Sequence, residues 1–525
     1  MRIRIFVALI ALNCVEPVVA SPPANLDQRV EELRRASELP GIAIAIVENG
    51  QTTLARGYGL RKLGGKDPVD ANTIFMTGST GKAVTVAALA TLVDAGKLGW
   101  DDKVVDRLPG FQMYDPWVTR EMTVRDLLVH RSGLGLGAGD LMFVPRSNRT
   151  RANMLEGLRH IKPATSFRSG YAYDNILYTV AGAVIEAVSG QTYESYLRQH
   201  VFKPAGLLTA TSDEPTRLAT SNRAFPHGRN SGAVRGLGPL QLLDETDQLG
   251  AASTPAGLLA MSANDLAKWL KIQLARGKTE NGGRLFSEAS SAEMWNPQTI
   301  EPIGPVPPGF EATKPMFKAY ALGWEVADYG GAKIISHSGG VFGFITMVVL
   351  IPEKNVGFAI TMNAEEGAVR RGLTLELIDH YLGRPHVDWA GRYKALLSTM
   401  LSDAKAAVEA KASTPAGVGP SLQLDRYAGQ YRDPWYGRMT VRRGKAGLAI
   451  DFNDTPRMEG PLVHYQYDTF IARFTDRNIE PAYVTFGLDA EGKVERISMK
   501  PVSPTADFSF DYQDLNFTPV AVAAR

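Results

Sequence analysis

The pattern of apolar and polar residues predicts antiparallel strands at two distant places in the chain. Residues 42–59, IAIAIVENGQTTLARGYG, alternate on either side of Asn49-Gly50. Asn-Gly indicates a hairpin, because both central residues of a type I′ turn need positive φ. Residues 334–362 predict a strand, a glycine-rich turn, a strand at Ile345–Ile351, a tight turn and a last strand at Val356–Met362.

Helical periodicity fills the region between these strands. Residues 175–189, NILYTVAGAVIEAVS, predict a helix that stops at Gly190. Residues 264–275, NDLAKWLKIQLA, predict an amphipathic helix whose cap is Ser262 or Asn264. Helices enclosed by antiparallel strands predict the α+β fold class, with one sheet built from the N- and C-terminal parts of the same domain.

The character of the chain changes at Leu401. Residues 401–421, LSDAKAAVEAKASTPAGVGPS, are typical of a linker, so we expect the first domain to cover residues 21–400. Short alternating segments follow at residues 439–441, 448–452, 470–474, 483–488 and 494–499. They predict a second, antiparallel β domain over residues 422–525, either a small barrel or a sandwich.

The N-terminus, MRIRIFVALIALNCVEPVVASPP, has the three parts of a secretory signal peptide over residues 1–20. Arg2 and Arg4 precede the apolar run Ile5–Leu12, which is too short to span a bilayer. The one cysteine of the chain, Cys14, lies inside this segment, so the mature chain would have no thiol or disulfide chemistry. We therefore expect a periplasmic or secreted protein with no membrane span.

Composition excludes several classes of function. The 525 residues, 44% hydrophobic and 21% charged, are typical of a globular protein of two or three domains. A formal net charge of +2, without a basic stripe, gives no reason to expect a nucleic-acid partner. The eight histidines form no ligand cluster, and the sequence has no Walker loop or dinucleotide fingerprint. We expect neither a metal nor a cofactor.

A serine and a lysine precede a segment that is apolar on nearly every face. In TGSTGKAVTVAALATLVDAGKL, Ser79 and Lys82 are three residues apart, so on a helix they lie on one face. Burial and the positive end of the helix dipole both lower the pKa of a lysine at this position. Such a lysine can accept the proton of a neighbouring hydroxyl, which turns serine into a nucleophile.

The spacing S-x-x-K is weak evidence by itself, because Ser402 and Lys405 repeat it in the polar linker. Two further triplets strengthen the interpretation: Tyr173-Asp174-Asn175 is the only Y-x-N, and His337-Ser338-Gly339 is the only H-x-G. In this order, and with TVRDLLVHRSGLG, YALGWE and SGGVFGFITMVVLIPEKNVGFAITMN around them, the motifs resemble the serine β-lactamase and penicillin-binding-protein family. The likeness covers roughly residues 26–384 and is strongest to the branch with class C β-lactamases, D-alanyl-D-alanine carboxypeptidases and esterases.

The resemblance implies a role for each motif residue. Ser79 would attack an acyl carbon, and Tyr173, held near Lys82, would relay the proton, since a cationic neighbour lowers the pKa of a phenol. The sequence leaves open whether Lys82 or Tyr173 is the working base. Asn175 would hydrogen-bond Lys82 and the substrate amide. His337, where many relatives carry lysine, would orient the substrate or donate to its carboxylate.

The backbone N–H groups of Ser79 and Gly340 would form an oxyanion hole, with Gly339 beside them. Asp174 departs from the small residue that is frequent in relatives. The sequence leaves open whether its carboxylate points away from the site or selects cationic substrates.

These features predict an exported serine hydrolase that acts through an acyl-enzyme, with a small peptide or acyl compound as substrate. We expect a peptidase of unusual peptides, because relatives include peptidases of D-residue peptides and of linearised cyclic peptides such as microcystin. The alternatives are a carboxylesterase of short acyl esters and a weak β-lactamase or non-turnover penicillin-binding protein. β-Lactams are candidate acylating ligands, and the sequence leaves the oligomeric state open.

Overall fold

The structure is a computed structural model that describes residues 21–412 and 418–520. The predicted signal peptide, with Cys14, lies outside the described residues. Twenty strands are assigned in this part of the chain: β1 Gly41–Glu48, β2 Gln51–Gly59, β3 Phe75–Met76, β4 His227–Gly228, β5 Gln241–Leu242, β6 Ala260–Met261, β7 Thr299–Ile300, β8 Lys318–Tyr320, β9 Glu325–Tyr329, β10 Ala332–Val341, β11 Phe344–Ile351, β12 Val356–Met362, β13 Gly429–Asp433, β14 Gly437–Gly444, β15 Gly447–Phe452, β16 Glu459–Gln466, β17 Thr469–Ala472, β18 Ala482–Leu488, β19 Val494–Pro501 and β20 Asn516–Pro519.

The first domain is built on one eight-stranded sheet with the order β2-β1-β12-β11-β10-β9-β8-β7. The predicted hairpin is present, with φ of 51° at Asn49 and 76° at Gly50. Strand β1 pairs antiparallel with β12, with Ile44 opposite Ile360. The prediction of one α+β sheet made from distant parts of the chain is therefore confirmed.

Helices cover the sheet and form a separate helical region beside it. Their bounds in the described residues are α1 Leu26–Ala36, α2 Lys82–Asp94, α3 Val104–Arg107, α4 Pro116–Glu121, α5 Arg151–Leu158, α6 Ile176–Ser189, α7 Tyr193–Leu197, α8 Lys203–Ala205, α9 Glu214–Ala219, α10 Thr254–Gly257, α11 Ala263–Leu274, α12 Glu288–Met294, α13 Gly367–Tyr381 and α14 Trp389–Ala412. Helix α6 ends at Gly190 in the left-handed conformation, as its sequence predicts. Helix α2 is buried along most of its length and belongs to the central core.

The predicted linker begins later than Leu401, because α14 continues to Ala412. Alanine, lysine and glutamate, which made this segment resemble a linker, are also among the strongest helix formers. Ser402 and Lys405 lie exposed on this helix, where Lys405 pairs with Glu409 at 3.8 Å. The second S-x-x-K is thus part of a solvated helix face.

The C-terminal domain is a closed barrel of the eight strands β13 to β20 in chain order. The sequence left a barrel and a sandwich open, and closure removes the exposed sheet edges that a sandwich keeps. Residues of the barrel and of the first domain share one apolar core cluster. The two domains therefore pack against each other directly.

None of the helices in the described residues combines the length and the apolar character needed to cross a bilayer. In the same residues, no group of three His, Cys, Asp or Glu side chains is arranged to hold a metal ion.

Candidate active site

Ser79 lies in a short 3-10 turn, Gly78–Gly81, that leads directly into α2. Its half-buried side chain lines a cavity of about 800 Å³. Lys82, the first residue of α2, is fully buried, and its Nζ lies 3.0 Å from Ser79 Oγ. The structure therefore brings the predicted nucleophile and the predicted base into direct contact.

The other contacts of Lys82 favour a neutral amine with its lone pair toward Ser79. Nζ donates to Asn175 Oδ1 at 2.6 Å and to the carbonyl oxygen of Ala256 at 2.8 Å. Both acceptors are carbonyl oxygens, so they occupy the two N–H donors of a neutral amine. The remaining lone pair can then accept the hydrogen of the Ser79 hydroxyl.

Burial lowers the pKa of Lys82 to about 7, as its position in the sequence predicts. The carboxylates of Asp140 and Asp174 act in the opposite direction and favour the ammonium form. A pKa near 7 leaves a large fraction of Lys82 unprotonated at neutral pH, which is the state that a general base requires.

Tyr173 forms a wall of the site beside Lys82, whose Nζ lies 4.8 Å from the centre of the ring. The expectation that the cation lowers the pKa of Tyr173 is wrong. Removal from water raises that pKa well above its ordinary value, and a hydrogen bond with the Ser79 side chain offsets only part of the rise. Tyr173 is therefore a neutral phenol at physiological pH.

Asn175 connects Lys82 to a second carboxyl group. It precedes α6, and its Oδ1 accepts from Lys82 while its Nδ2 donates to Asp140 Oδ2 at 2.7 Å. Because one end of the amide meets a donor and the other an acceptor, its orientation is fixed. Asp140 is fully buried, which raises its pKa to about 7 although Asn175 and Ser509 donate to it.

Asp174 points away from the cavity. Ser132 Oγ donates to its Oδ2 at 3.0 Å, and its backbone N–H donates to His130 Nδ1 at 3.2 Å. The His130 ring lies 4.2 Å, centre to centre, from that of Tyr173. Of the two alternatives for Asp174, its carboxylate therefore points away from the site. Asp174 and His130 lie on the side of Tyr173 that faces away from the cavity.

His337 lies in β10 and is held by the protein at both ring nitrogens. Nδ1 lies 2.6 Å from the Ser338 carbonyl oxygen and must carry the hydrogen, so Nε2 accepts from Tyr320 OH at 2.8 Å. Burial and the charge of Lys82 lower the pKa of His337 to about 3. This geometry does not support a hydrogen bond from His337 to a substrate carboxylate, while an orienting role for this part of the wall stays a prediction.

The Ser79 turn packs against the end of β10 without space for side chains. A Cβ added to Gly339 would lie 2.0 Å from the Thr77 carbonyl oxygen and 2.9 Å from Ser79 N. A Cβ on Gly78 would lie 2.4 Å from Gly340 N. The two N–H groups predicted for the oxyanion hole are thus on adjacent pieces of backbone, and Gly340 is exposed at the cavity.

Three important neighbours of this site escaped the sequence analysis: Asp140, Ser509 and Phe508. Ser509 Oγ donates to Asp140 Oδ2 at 2.8 Å across 369 residues of sequence. Phe508 packs edge-on against Tyr173, with ring centres 5.8 Å apart. No local pattern marks these residues: docking of the barrel brings Phe508 and Ser509 to the site, and Asp140 meets Asn175 across 35 residues of the first domain.

The cationic side chains of the cavity are already paired. Among its described lining residues, the lysines and arginines are Arg229 and Arg235. Arg229 contacts Glu38 at 2.8 Å and Glu366 at 3.3 Å, and Arg235 Nε donates to Glu365 at 2.8 Å. Neither of these two side chains is therefore an unpaired cation that could bind an anionic ligand.

Most of the cavity wall is apolar. It includes aliphatic and aromatic side chains from both domains and from α14, among them Leu136, Phe143, Leu249, Phe342, Leu401, Phe508 and Phe510. The volume lies in the range of about 300–1,000 Å³ that is usual for small-molecule sites.

The family model described as Beta-lactamase matches residues 26–382, and one described as a domain of unknown function matches residues 413–519. An unguisins hydrolase of Aspergillus campestris is 29% identical over 442 residues, which are 79% of this chain and 78% of that protein. Penicillin-binding protein 4 of Amycolatopsis lactamdurans is 27% identical over 367 residues, 69% of this chain and 89% of that protein.

Solved structures show the same fold. The octameric penicillin-binding protein homologue from Pyrococcus abyssi superposes with a TM-score of 0.57 and 20% identity, covering 94% of this chain and 99% of that one. A class C beta-lactamase from Rhodobacter sphaeroides superposes with a TM-score of 0.52 and 20% identity, covering 68% of this chain and all of that one.

Proposed function

Because this chain belongs to the beta-lactamase family of serine hydrolases, we propose that it is an exported peptidase. It cleaves an amide bond of a small or unusual peptide through an acyl-enzyme at Ser79. The observation that carries the proposal is the 3.0 Å contact between Ser79 Oγ and a buried Lys82 whose pKa is about 7.

The proton of the nucleophile moves through Lys82. Ser79 Oγ forms a bond to the substrate carbonyl carbon while its hydrogen passes to the Nζ lone pair. The negative oxygen that results lies toward the N–H groups of Ser79 and Gly340, and loss of one such donor typically costs about 100- to 1,000-fold in rate. The carbon–nitrogen bond then breaks, and the leaving amine takes the proton from Lys82.

Hydrolysis of the ester repeats these steps with water. Lys82 accepts a proton from the water as its oxygen bonds to the acyl carbon, and then returns a proton to Ser79 Oγ as the acid leaves. Tyr173 contributes as a neutral hydrogen-bonding group, since its raised pKa disfavours the phenolate. Lys82 is therefore the base in this proposal.

The cavity supports a neutral, largely apolar substrate. A carboxylate next to the scissile bond would need a cation, but His337 is neutral and both cavity arginines are paired with glutamates. We therefore favour an internal or blocked amide over a C-terminal D-alanine or a β-lactam, both of which carry a free carboxylate. The similarity to the unguisins hydrolase agrees with a peptide substrate.

The test is a panel of apolar peptides with D- and L-residues, including a linearised microcystin, each as amide and as free acid. A p-nitrophenyl ester and a chromogenic cephalosporin complete the panel. We expect the peptide amides to be cleaved with a higher kcat/KM than the free acids. Cleavage of the ester alone would replace the peptidase with the carboxylesterase alternative, and preferred hydrolysis of the cephalosporin would replace it with a β-lactamase.

The residue assignments are tested on the best substrate of that panel. Ser79→Ala and Lys82→Ala are expected to fold normally and to lose at least about 100-fold in kcat, since a general base contributes about 100- to 10,000-fold. Ser402→Ala and Lys405→Ala are the matched controls, because they change the same residue types at the same spacing on an exposed face. Activity that survives in Ser79→Ala would reject the acyl-enzyme.

Export is part of the proposal and is carried by the leader sequence alone. Expression of the full chain in a Gram-negative host is expected to give a periplasmic product that begins at Ser21. A cytoplasmic product that retains residues 1–20 would contradict export without affecting the chemistry.

A further inference from the structure

A short segment of the barrel lies over the site of the first domain. Residues 507–511, Asp-Phe-Ser-Phe-Asp, follow β19 and precede β20, and we call them the strap. Asp507, Phe508, Ser509 and Phe510 line the same cavity as Ser79. One wall of this cavity thus comes from the C-terminal domain.

The strap contacts the first domain at Asp511, its last residue, and at Phe508. The buried carboxyl group of Asp511 accepts hydrogen bonds from the backbone N–H groups of Gly139 at 2.8 Å and Leu141 at 3.1 Å. At Gly137, an added Cβ would lie 2.6 Å from the Phe508 carbonyl oxygen. The two Asp511 hydrogen bonds and the close approach of Gly137 to Phe508 hold the strap against the first domain.

Ser509 is the link between the strap and Lys82. Its hydroxyl donates to Asp140 Oδ2, and the same oxygen accepts the Nδ2 hydrogen of Asn175. All three side chains are buried. Three successive hydrogen bonds therefore lead from a residue of the barrel to the base.

We propose that the strap completes the active site, with Ser509 as a positioning residue that acts on Asn175 through Asp140. The inference rests on the proposed function, because it assigns the barrel to the same reaction. Removal of the Ser509 hydroxyl leaves Asp140 with one donor at Oδ2, and in the described residues its Oδ1 has no hydrogen-bond partner. The carboxyl group then holds the Asn175 amide less firmly.

Several charged or titratable groups surround Lys82 and Asp140. Those near Lys82 are Asp140, Asp174, His130, His337, Tyr173 and Tyr178. Those near Asp140 are Lys82, Tyr173, Asp507 and Asp511. Among the groups near Lys82, the carboxylates of Asp140 and Asp174 favour its ammonium form. A change in the protonation of Asp140 therefore changes the pKa of Lys82.

The sign of the effect follows from these contacts. The Ser509 hydrogen bond stabilises the carboxylate form and lowers the pKa of Asp140. Without it the pKa of Asp140 rises, so Asp140 is ionised over less of the range in which Lys82 titrates and raises the pKa of Lys82 less. We call the increase of kcat/KM with rising pH, as Lys82 loses its proton, the rising limb of the pH profile. In Ser509→Ala this limb therefore moves to lower pH. A merely loosened domain contact would reduce activity without moving the limb.

The experiment compares the full-length wild type with Ser509→Ala, Asp140→Asn and the double variant. Ser503→Ala is the matched control, because Ser503 is an equally buried serine before the strap and hydrogen-bonds only locally, to Thr505. We expect Ser509→Ala to lose about tenfold in kcat with a smaller change in KM, as for one lost hydrogen bond. Asp140→Asn should shift the limb in the same direction, and Ser503→Ala should stay within about twofold of wild type.

The double variant tests whether Ser509 acts on Lys82 through Asp140. If Ser509 acts through Asp140, Ser509→Ala in the Asp140→Asn background moves the limb no further. A limb that stays in place in Ser509→Ala, or an equal additional shift in the double variant, would overturn the inference.

A second readout does not depend on turnover. The titration of Lys82 is followed by NMR of carbon-labelled lysine, with its signal assigned by its absence in Lys82→Ala. A lower pKa in Ser509→Ala supports the strap, and an unchanged pKa rejects it. Absence of Ser79-dependent turnover in the wild type would instead reject the proposed function, so the two failures are distinguishable.

Discussion

Lys82 shows how the surroundings of one side chain change its ordinary chemistry. Lysine is rarely buried without a partner, and here its partners are a hydroxyl and two carbonyl oxygens, with the carboxylates one step away. Burial dominates and lowers the pKa of Lys82 to about 7, while the same effect raises that of Tyr173. The two candidate bases are therefore separated by opposite effects of one environment.

This separation predicts the pH dependence of the enzyme. As pH rises through about 7, Lys82 loses its proton and kcat/KM should increase. Deprotonation of Tyr173 lies well above pH 10 and should add no second rise below that value. Tyr173→Phe should lose less activity than Lys82→Ala and keep the rising limb, as measured by initial rates from pH 5 to pH 10.

One result of these measurements would contradict the assignment of Lys82 as the base. If the limb disappears in Tyr173→Phe but remains in Lys82→Ala, the tyrosine is the base.

Single residues were predictable where their chemistry is local in the sequence. Ser79 and Lys82 share one turn, and burial of the following helix was visible in its composition. Asp140 and Ser509 were not predictable, because each is one polar residue without a pattern. Asp140 reaches the site through Asn175, 35 residues away, and Ser509 reaches Asp140 across 369 residues.

At the scale of elements, the site depends on a close contact between the Ser79 turn and β10. Gly339 is the tightest point, because any side chain there would overlap the Thr77 carbonyl oxygen. The sequence predicts a helix that begins near Ser79 and a strand at the start of residues 334–362. It places Gly339 and Gly340 in a glycine-rich turn, whereas β10 continues to Val341. It could not predict the contact between the two elements, which depends on how the helical region packs on the sheet.

We predict that Gly339→Ala separates the turn from β10 and lowers kcat by about 100-fold or more, the loss typical of one oxyanion donor. KM should change less, because the cavity wall is retained. Gly304→Ala is the control, since a Cβ at that position meets nothing within 4 Å. Steady-state kinetics together with circular dichroism test the prediction, and a Gly339→Ala enzyme with wild-type kcat would contradict it.

At the scale of the molecule, the barrel and the first domain share one apolar core cluster and one cavity. The alternating pattern predicted a separate β domain, and the observed barrel agrees with that prediction. Its docking could not be predicted, because the strap has no periodicity and its partners are backbone groups of Gly139 and Leu141. Local composition predicts that a second domain exists, although it placed the linker too early, at Leu401 instead of after Ala412. Domain contacts depend on three-dimensional shape, which composition does not predict.

The contact between Gly137 and Phe508 allows this coupling to be tested with a matched pair of substitutions. Gly137→Ala and Gly190→Ala impose the same backbone cost, because φ is +71° and +70° at the two positions. At Gly190 nothing lies within 4 Å of an added Cβ, whereas at Gly137 the new methyl group collides with the strap. Both variants should therefore lose similar stability from strain, about 1–2 kcal/mol.

Gly137→Ala should in addition displace the strap from the cavity. We expect kcat/KM for a peptide amide to fall at least about tenfold more in Gly137→Ala than in Gly190→Ala, because the cavity loses a wall and Asp140 loses a donor. Limited proteolysis should cut near residues 507–511 only in Gly137→Ala. Equal kinetics and equal protection in the two variants would mean that the barrel stabilises the chain but takes no part in its reaction.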